Sequence, residues 1–373
     1  MKILIVSLWE ISDNSIGGTE RYVVDLAESL ARKGILVDVL MLSGKYREKL
    51  GVKYFPLEKG LDVNEYEIKN RFFSDFNNKK LSDFAEFIEG SFDANDYDLI
   101  HLNSLLFLHL YRSSRRVFTL HENPFEFDHN WGRGSLKKIK QIIAADKLVH
   151  NFIVPSSHYA SKYNDLFRFS TTAIPHSIDV SRLRCAKSKE DILRKYNLKN
   201  ILTFVVPSRM EIFQKGQDLA AKALGMIKDD IPDFQVVFSG LDNQYIKNVE
   251  IIQNICLSNK IKASFLNFDN ISEAYKIADV IILPSKSESF GYSALESLSL
   301  GKRTVLSDIP TFEELASYTP LAIISRQNPE DFSKNILRAF KVTKDEEMLW
   351  LKNFDQDEWA DKYITYYEKL LQR

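Results

Sequence analysis

Two series of short apolar runs, each run followed by a helical pattern, constrain the fold of this chain more than any other feature. The first series reads as strands near Ile3–Ser7, Val37–Leu42, Leu99–Leu102, Val117–Leu120 and Phe152–Val154. The second reads as strands near Leu202–Val206, Gln235–Ser239, Ala263–Leu266, Val280–Leu283 and Thr304–Leu306. Runs such as Val280-Ile281-Ile282-Leu283 lack the polar alternation of a half-solvated strand, so both of their faces need cover. Strands that alternate with helices in this way define an α/β architecture built on parallel sheets. The charged stretch Asp179 to Asn200 separates the series, and 373 residues exceed one ordinary core. We therefore expect one α/β domain over 1–178, a second over 200–355, and a terminal helix within 356–373. That helix carries Trp359, Tyr363, Ile364, Tyr367 and Leu370 at helical spacing.

Composition removes several classes of function. A net charge of −1 gives no bulk attraction to nucleic acid. Cys185 and Cys256 stand far apart, which suits neither a disulfide framework nor a structural zinc site. No stretch approaches the roughly 20 apolar residues of a membrane span. The opening MKILIVSLWE reads as a strand rather than a signal peptide, because no small-residue cleavage site follows it. The expected location is the cytoplasm.

The most informative motif is ADVIILPSKSESFGYSALESLSLG, Ala278 to Gly301. A buried strand ends at Pro284-Ser285, a polar loop follows, and Gly291-Tyr292-Ser293 open a helix with Ala294, Leu295 and Leu298 on one side. The first N–H groups of a helix lack intrahelical partners, so this junction suits an anion. Glu288 lies in the loop and Glu296 a turn inside the helix. A carboxylate beside an anion must aim elsewhere. Glu296 is suited to a vicinal diol such as a ribose, and Glu288 to sugar hydroxyls, through charge-assisted bonds of roughly 1.5–3 kcal/mol each. Alone, Glu288 reads more simply as an N-terminal helix charge and Glu296 as part of a solvated helix face; the E-x7-E spacing is what singles them out.

Arg209 follows the strand ILTFVVP, and Lys215 precedes Gly216 and a helix. A guanidinium fork and an ammonium at a sheet's carboxyl edge suit a diphosphate. Gly17 and Gly18, in SIGGTERY, let a ligand approach the backbone, but they come too long after the first strand for a dinucleotide fingerprint. His101 and His121 end the runs DLIHL and VFTLHEN, at the edge where open α/β sheets bind ligands. For His101 a satisfied structural residue is an equal reading. Asp96 and Asp98 form a D-x-D triplet, which a turn before the next strand explains without a cation.

Taken together these blocks resemble the retaining glycosyltransferases of family four, which have the GT-B fold. The resemblance covers nearly the whole chain and is most specific between Pro284 and Asp308. It implies two facing Rossmann-like domains with a nucleotide sugar in the cleft between them, and a final helix crossing back to the first domain. It implies that Glu296 holds the nucleotide ribose and Glu288 the donor sugar, with Ser289, Phe290, Gly291 and Tyr292 near the sugar and diphosphate. GGTERYVVDLAESLARKG matches the family's first motif, which sets Gly17 and Gly18 beside the diphosphate and acceptor. FQVVFSG matches its strand-then-glycine near the nucleotide, ending at Gly240. His121 falls where a family histidine approaches the donor sugar, and Asn123 and Glu126 follow in a loop facing the acceptor. The chain departs from the pattern in four places. Ser208 replaces a glycine and one extra residue precedes Lys215; His176-Ser177 replace Asn-Gly; Arg303 replaces a proline; Pro310-Thr311 replace paired glycines, while Glu314 keeps its place.

The expected activity is hexosyl transfer with retention from a nucleotide sugar, a UDP-sugar first among donors, to a saccharide or lipid-linked glycan, as in polysaccharide biosynthesis. Arg209 and Lys215 would take the place of a metal, so no cofactor is expected. The competing readings are an epimerase or phosphorylase of the same fold, and an inactive nucleotide-binding partner of another transferase. Segment 131–147 joins Arg133, Lys137, Lys138, Lys140 and Lys147 to Leu136, Ile139, Ile142 and Ile143. Such a face suits an anionic membrane, which would put the protein at the inner leaflet; a solvated helix over the core is the plainer reading. The aromatic stretch with Phe72, Phe73, Phe76, Phe84 and Phe87 is either an acceptor-side wall or ordinary packing.

Overall fold

The computed structural model describes residues 1–7, 11, 17–42, 44–57, 78–90, 93–111, 115–124, 134–145, 151–167, 171–342 and 348–372. Glu126, Trp131, Arg133, Lys147, Phe72, Phe73 and Phe76 lie outside these residues. The chain forms two compact units, Met1–Ser177 with Phe354–Arg373, and Ile178–Asn353. Each unit is built on a sheet with helices between its strands.

The first unit contains β1 (Lys2–Ser7), β2 (Leu36–Met41), β3 (Arg47–Lys49), β4 (Val52–Pro56), β5 (Leu99–Leu102), β6 (Arg116–Thr119), β7 (Asn151–Val154) and β8 (Thr171–Ala173). Among the described residues they form an eight-stranded sheet in the order β3-β4-β2-β1-β5-β6-β7-β8, parallel except for β3. Every residue of β5, β6 and β7 is buried, as strands covered on both faces require. Strand order reverses between β1 and β5, which sets this sheet's switch point between those two strands.

The helix Gln356–Leu371 belongs to this first unit and packs on the helix Gly18–Arg32. Asp355 starts it by accepting from the N–H groups of Asp357 and Glu358. Its face of Trp359, Tyr363, Tyr367 and Leu370 is buried, and Lys33–Asp361 at 2.9 Å and Arg32–Gln356 at 2.8 Å lace the exposed side. The helix Ser135–Ala145 buries Ile139 and Ile143 in the core and leaves Lys137 and Lys138 exposed. Its apolar stripe is therefore spent on packing. Phe84, stacked on Phe107 at 5.9 Å, and Phe87 pack into the same core.

The second unit contains β9 (Leu202–Pro207), β10 (Phe234–Ser239), β11 (Ala263–Leu266), β12 (Val280–Leu283), β13 (Arg303–Ser307) and β14 (Ala322–Ser325). They form a parallel six-stranded sheet in the order β11-β10-β9-β12-β13-β14. Here the switch point falls between β9 and β12. Residues 178–200 lie within this unit, where the helix Lys189–Lys195 starts at a Ser188 cap and contacts the helix Ile271–Ile277.

Candidate active site

The loops after β9 and β12 flank the second unit's switch point and carry three of the charged groups that the sequence singles out, Arg209, Lys215 and Glu288, with Glu296 in the helix that follows. After β9, Gln217 holds the loop: its Nε2 donates to Ser208 Oγ at 3.0 Å and to the Arg209 carbonyl. Arg209 itself is half exposed, with Nη2 3.4 Å from Glu211 Oε2, a weak tether. Lys215 closes a single helical turn, Ile212–Lys215, and Gly216 reverses the chain into the helix Gln217–Met226. Gly216 has φ +64°, and a Cβ there would meet the Pro284 carbonyl oxygen at 2.2 Å. Only glycine tolerates both the left-handed backbone and that approach. The Lys286 N–H donates to the Gln214 carbonyl at 2.7 Å, joining the two loops.

Across this junction Lys215 Nζ lies 2.8 Å from Glu288 Oε1, and both side chains are mostly buried. Ser285 Oγ donates to the same carboxylate oxygen at 2.8 Å, while Thr311 Oγ1 donates to the Glu288 carbonyl at 2.7 Å. Lys215 and Glu288, read separately from the sequence as phosphate and sugar ligands, are thus ion-paired partners at one position. Gly291 caps the helix Tyr292–Ser299 with φ +83° and ψ +53°. A Cβ there would sit 2.7 Å from Phe312 Cε1, which explains the glycine in packing terms as well. Phe290 is buried with its ring 5.2 Å from that of Tyr292. Glu296 is 5% exposed, and its Oε2 accepts a 2.5 Å bond from Tyr275 Oη. Tyr275 carries no motif signal, and only the fold brings it to Glu296. After β10, Gly240 has φ +98° and lies so close to Ser208 that a Cβ would meet its carbonyl oxygen at 2.8 Å. Asn267 pins the next residue, Leu241, through bonds of 2.7 and 3.0 Å to its N–H and carbonyl.

Three histidines of the first unit, His101, His121 and His176, come together near the carboxyl edge of β5 and β6. Gly17 caps the helix Gly18–Arg32, whose Tyr22 ring lies 4.5 Å from that of His121 and 4.6 Å from that of His176. Burial holds the His121 and His101 imidazoles down to about 3, and keeps His176 well below its usual range. All three rings are neutral at pH 7. His121 Nε2 is 3.4 Å from Asn103 Oδ1.

His101 has a structural role. Its Nε2 is 2.7 Å from Thr119 Oγ1 and its Nδ1 is 2.6 Å from Tyr367 Oη. Tyr22 Oη donates to Tyr363 Oη at 2.9 Å and is also 2.9 Å from Thr119 Oγ1. Because Tyr22 has one proton and gives it to Tyr363, Thr119 must donate to Tyr22. Thr119 then accepts from His101 Nε2–H, and Nδ1 accepts from Tyr367. The chain Tyr367→His101→Thr119→Tyr22→Tyr363 runs in one direction and begins and ends on the C-terminal helix. Bonds aligned in this way polarise one another.

Asp96 and Asp98 lie at the opposite, amino edge of the sheet. Asp93 caps a turn over Ala94–Asp96, and Asp98 Oδ2 accepts from the Lys2 N–H at 2.7 Å. A cavity of about 430 Å3 opens at this same edge, lined by Glu89, Asp93, Tyr97, Tyr111, Arg115 and Arg116 among others. Its polar groups are engaged locally: Glu89 accepts from the Tyr111 N–H, Tyr97 donates to Asp38, and Arg116 donates to the Leu108 and Leu110 carbonyls.

Comparison with known proteins gives the family and the architecture. The Glycosyltransferase Family 4 model matches residues 16–182, and the glycosyl transferases group 1 model matches residues 188–350. The chain is 21% identical over 366 residues to an uncharacterized glycosyltransferase of Methanocaldococcus jannaschii, covering 91% of this chain and 89% of that one. Sucrose-phosphate synthase from Thermosynechococcus elongatus superposes with a TM-score of 0.76 at 18% identity, covering 100% of this chain and 99% of that one. The Anabaena protein HepE, in complex with UDP and glucose, superposes with a TM-score of 0.68 at 15% identity over 100% and 98% of the two chains. The architecture is GT-B. The chain belongs to the family 4, group 1 glycosyltransferases, and is a glycosyl-transferring enzyme of class EC 2.4.

Proposed function

We propose that the protein moves a hexosyl group from a UDP-sugar to a saccharide or lipid-linked glycan, with retention of anomeric configuration and without a metal. The observation that carries this reading is the Lys215–Glu288 pair at the β9/β12 switch point, with Arg209 in the same post-β9 segment as Lys215. Arg209 is half exposed and only weakly tethered, so its guanidinium can turn to a diphosphate. Lys215 is held by one carboxylate and can share its charge with a phosphoryl oxygen. At an effective dielectric near 20, one such charge pair at about 4 Å contributes about 4 kcal/mol before desolvation. That stabilisation grows as the leaving diphosphate gains charge, and so lowers the barrier rather than only binding substrate. Glu288, fixed by Lys215 and Ser285, presents its carboxylate to donor-sugar hydroxyls. Glu296, oriented by Tyr275, serves the ribose, and Ser289 to Tyr292 with Gly240 border the diphosphate and nucleoside.

The neutral His121 ring can donate to or accept from a sugar hydroxyl, with Gly17 and Gly18 bordering the acceptor side. UDP with glucose in HepE supports the choice of donor class. Retention is carried over from the family resemblance, with the acceptor attacking from the leaving-group face. The exposed Lys137 and Lys138 favour an anionic membrane at the cytoplasmic leaflet by charge alone, since the helix's apolar side is packed. The test is transfer from UDP-hexoses by Arg209→Ala and Lys215→Ala. Both should fold, with Lys215→Ala less stable because it leaves the mostly buried Glu288 without its cation, and both should lose at least 100-fold in kcat/KM, about 2.7 kcal/mol of transition-state stabilisation. Wild-type turnover by either variant overturns its assignment.

A further inference from the structure

Beside His121 stands a carboxyl group that the reading above leaves without a task. Glu122 Oε1 accepts a 2.5 Å bond from Ser104 Oγ, while Oε2 is enclosed and meets no hydrogen-bond partner. Ser104 and Asn103 are the two residues that follow β5, and His121 and Glu122 stand just past β6. The contacts therefore form two adjacent rungs between the same strand ends: Asn103 to His121 at 3.4 Å, and Ser104 to Glu122 at 2.5 Å. Asn103 is held from its other side, its Nδ2 donating to the Val6 carbonyl of β1 at 3.1 Å. Glu122 is held too, its carbonyl accepting from Tyr163 Oη at 2.9 Å.

We propose that Glu122 is a positioning residue for the transfer site: by clasping Ser104 it fixes the end of β5, and with it Asn103, the group that meets the His121 ring. This rests on the proposed role of His121. The wide rung is the one that needs outside support, because a 3.4 Å contact holds a ring weakly. The short rung next to it supplies that support. A conventional surface glutamate would be ionised far below neutral pH; burial raises this carboxyl to about 7, against the opposing pull of Ser104 and nearby main-chain amides. The clasp thus changes charge within the working range, tightening as the carboxylate forms and Ser104 donates to an anion. Among the described residues, the titratable groups facing it are His121 on its own strand end and Tyr163 on the helix Ser157–Phe167, with Tyr159 behind Tyr163. Neither His121 nor Tyr163 ionises near pH 7, so a step there reports Glu122.

The experiment follows kcat and donor KM from pH 5.5 to 8.5, together with the His121 ring 1H–15N signals, in wild type, Glu122→Gln, Glu122→Ala and Ser104→Ala. Wild type should show an inflection near pH 7 in kcat, and the His121 signals should shift with the same midpoint. Glu122→Gln should fold normally and lose both. Glu122→Ala should lose about tenfold in kcat with donor KM unchanged, and Ser104→Ala should repeat that loss in a chain with no buried carboxyl removed. An inflection and ring shift that persist in Glu122→Gln, or full activity in both alanine variants, would overturn the proposal. His121→Ala separates the two readings. Wild-type transfer by that variant would overturn the role of His121, whereas the ring signals still decide whether Glu122 positions it.

Discussion

Replacing Gly216 by alanine should cost the second unit about 3 kcal/mol. Two terms add. The residue sits at φ +64°, where a Cβ costs roughly 1–2 kcal/mol. The same Cβ would lie 2.2 Å from the Pro284 carbonyl oxygen, an overlap of about 1 Å with main chain that cannot rotate away. Relieving such overpacking costs typically 1–3 kcal/mol. Gly301→Ala is the internal control: φ is +69°, but the nearest atom to a Cβ is Met348 Sδ at 4.0 Å, so only the first term applies. Differential scanning calorimetry of the three proteins reads the difference. For a unit of this size about 3 kcal/mol corresponds to a fall of roughly 6–12 °C in Tm, against about half that or less for Gly301→Ala. The displacement also pulls the Lys215 turn from Glu288, so UDP affinity should fall in Gly216→Ala alone. Equal Tm values for the two variants would refute the close approach of the β9 and β12 loops.

Other outcomes follow from the buried polar groups. His101, with its folded value near 3 and an unfolded value near 6.5, refuses protons that the unfolded chain accepts. The stability it contributes is therefore whole above pH 6.5 and lost as pH falls toward 3, by about 2 kcal/mol at pH 5; urea titrations at pH 7 and 5 measure this, and His101→Gln should remove about that much of the difference, leaving the shares of the other buried imidazoles, His121 and His176. Glu122 has the opposite sign, so stability should also decline from pH 4.5 to about 7 by an amount that Glu122→Gln abolishes. Tyr275→Phe removes the donor to the buried Glu296 and should lower stability by roughly 1–3 kcal/mol while weakening nucleotide binding, read by calorimetry. Tyr367→Phe removes the proton donated to His101 Nδ1 while the Nε2–H bond to Thr119 stays, so 15N spectra should show the Nδ1 signal move with the ring still in the Nε2–H tautomer.

Much of the framework was legible in residue order because buried parallel strands write themselves as unbroken apolar runs. Val280–Leu283 and Leu202–Val206 lie within β12 and β9, and the segments that follow them are where Glu288 and Lys215 meet. Strands without such runs left no signal: β3 is Arg-Glu-Lys at a sheet edge, β8 is Thr-Thr-Ala, and β14 is only partly buried. Motif spacing located the two glutamates but not their partners. The Lys215–Glu288 pair joins residues 73 positions apart, and Tyr275–Glu296 joins residues 21 apart; neither relation exists before the sheet forms. His101 and His121 looked alike as strand-end histidines. They part company because Thr119 and Tyr367 enclose the first, while the second stands at the edge beside Asn103. Tyr367 comes from the other end of the chain, so no local pattern could have made that distinction.

The central claim is that the switch point of the second unit binds a nucleoside diphosphate through Arg209 and Lys215. Thermal unfolding with UDP, GDP, ADP and CDP in turn, with and without magnesium, tests it most directly. A nucleotide at about 100 times its dissociation constant should add about 2.7 kcal/mol of apparent stability. The account predicts a rise with UDP that is independent of magnesium and absent when Arg209 and Lys215 are both alanine. A flat response to every nucleotide, or a rise that survives the double substitution, would contradict it.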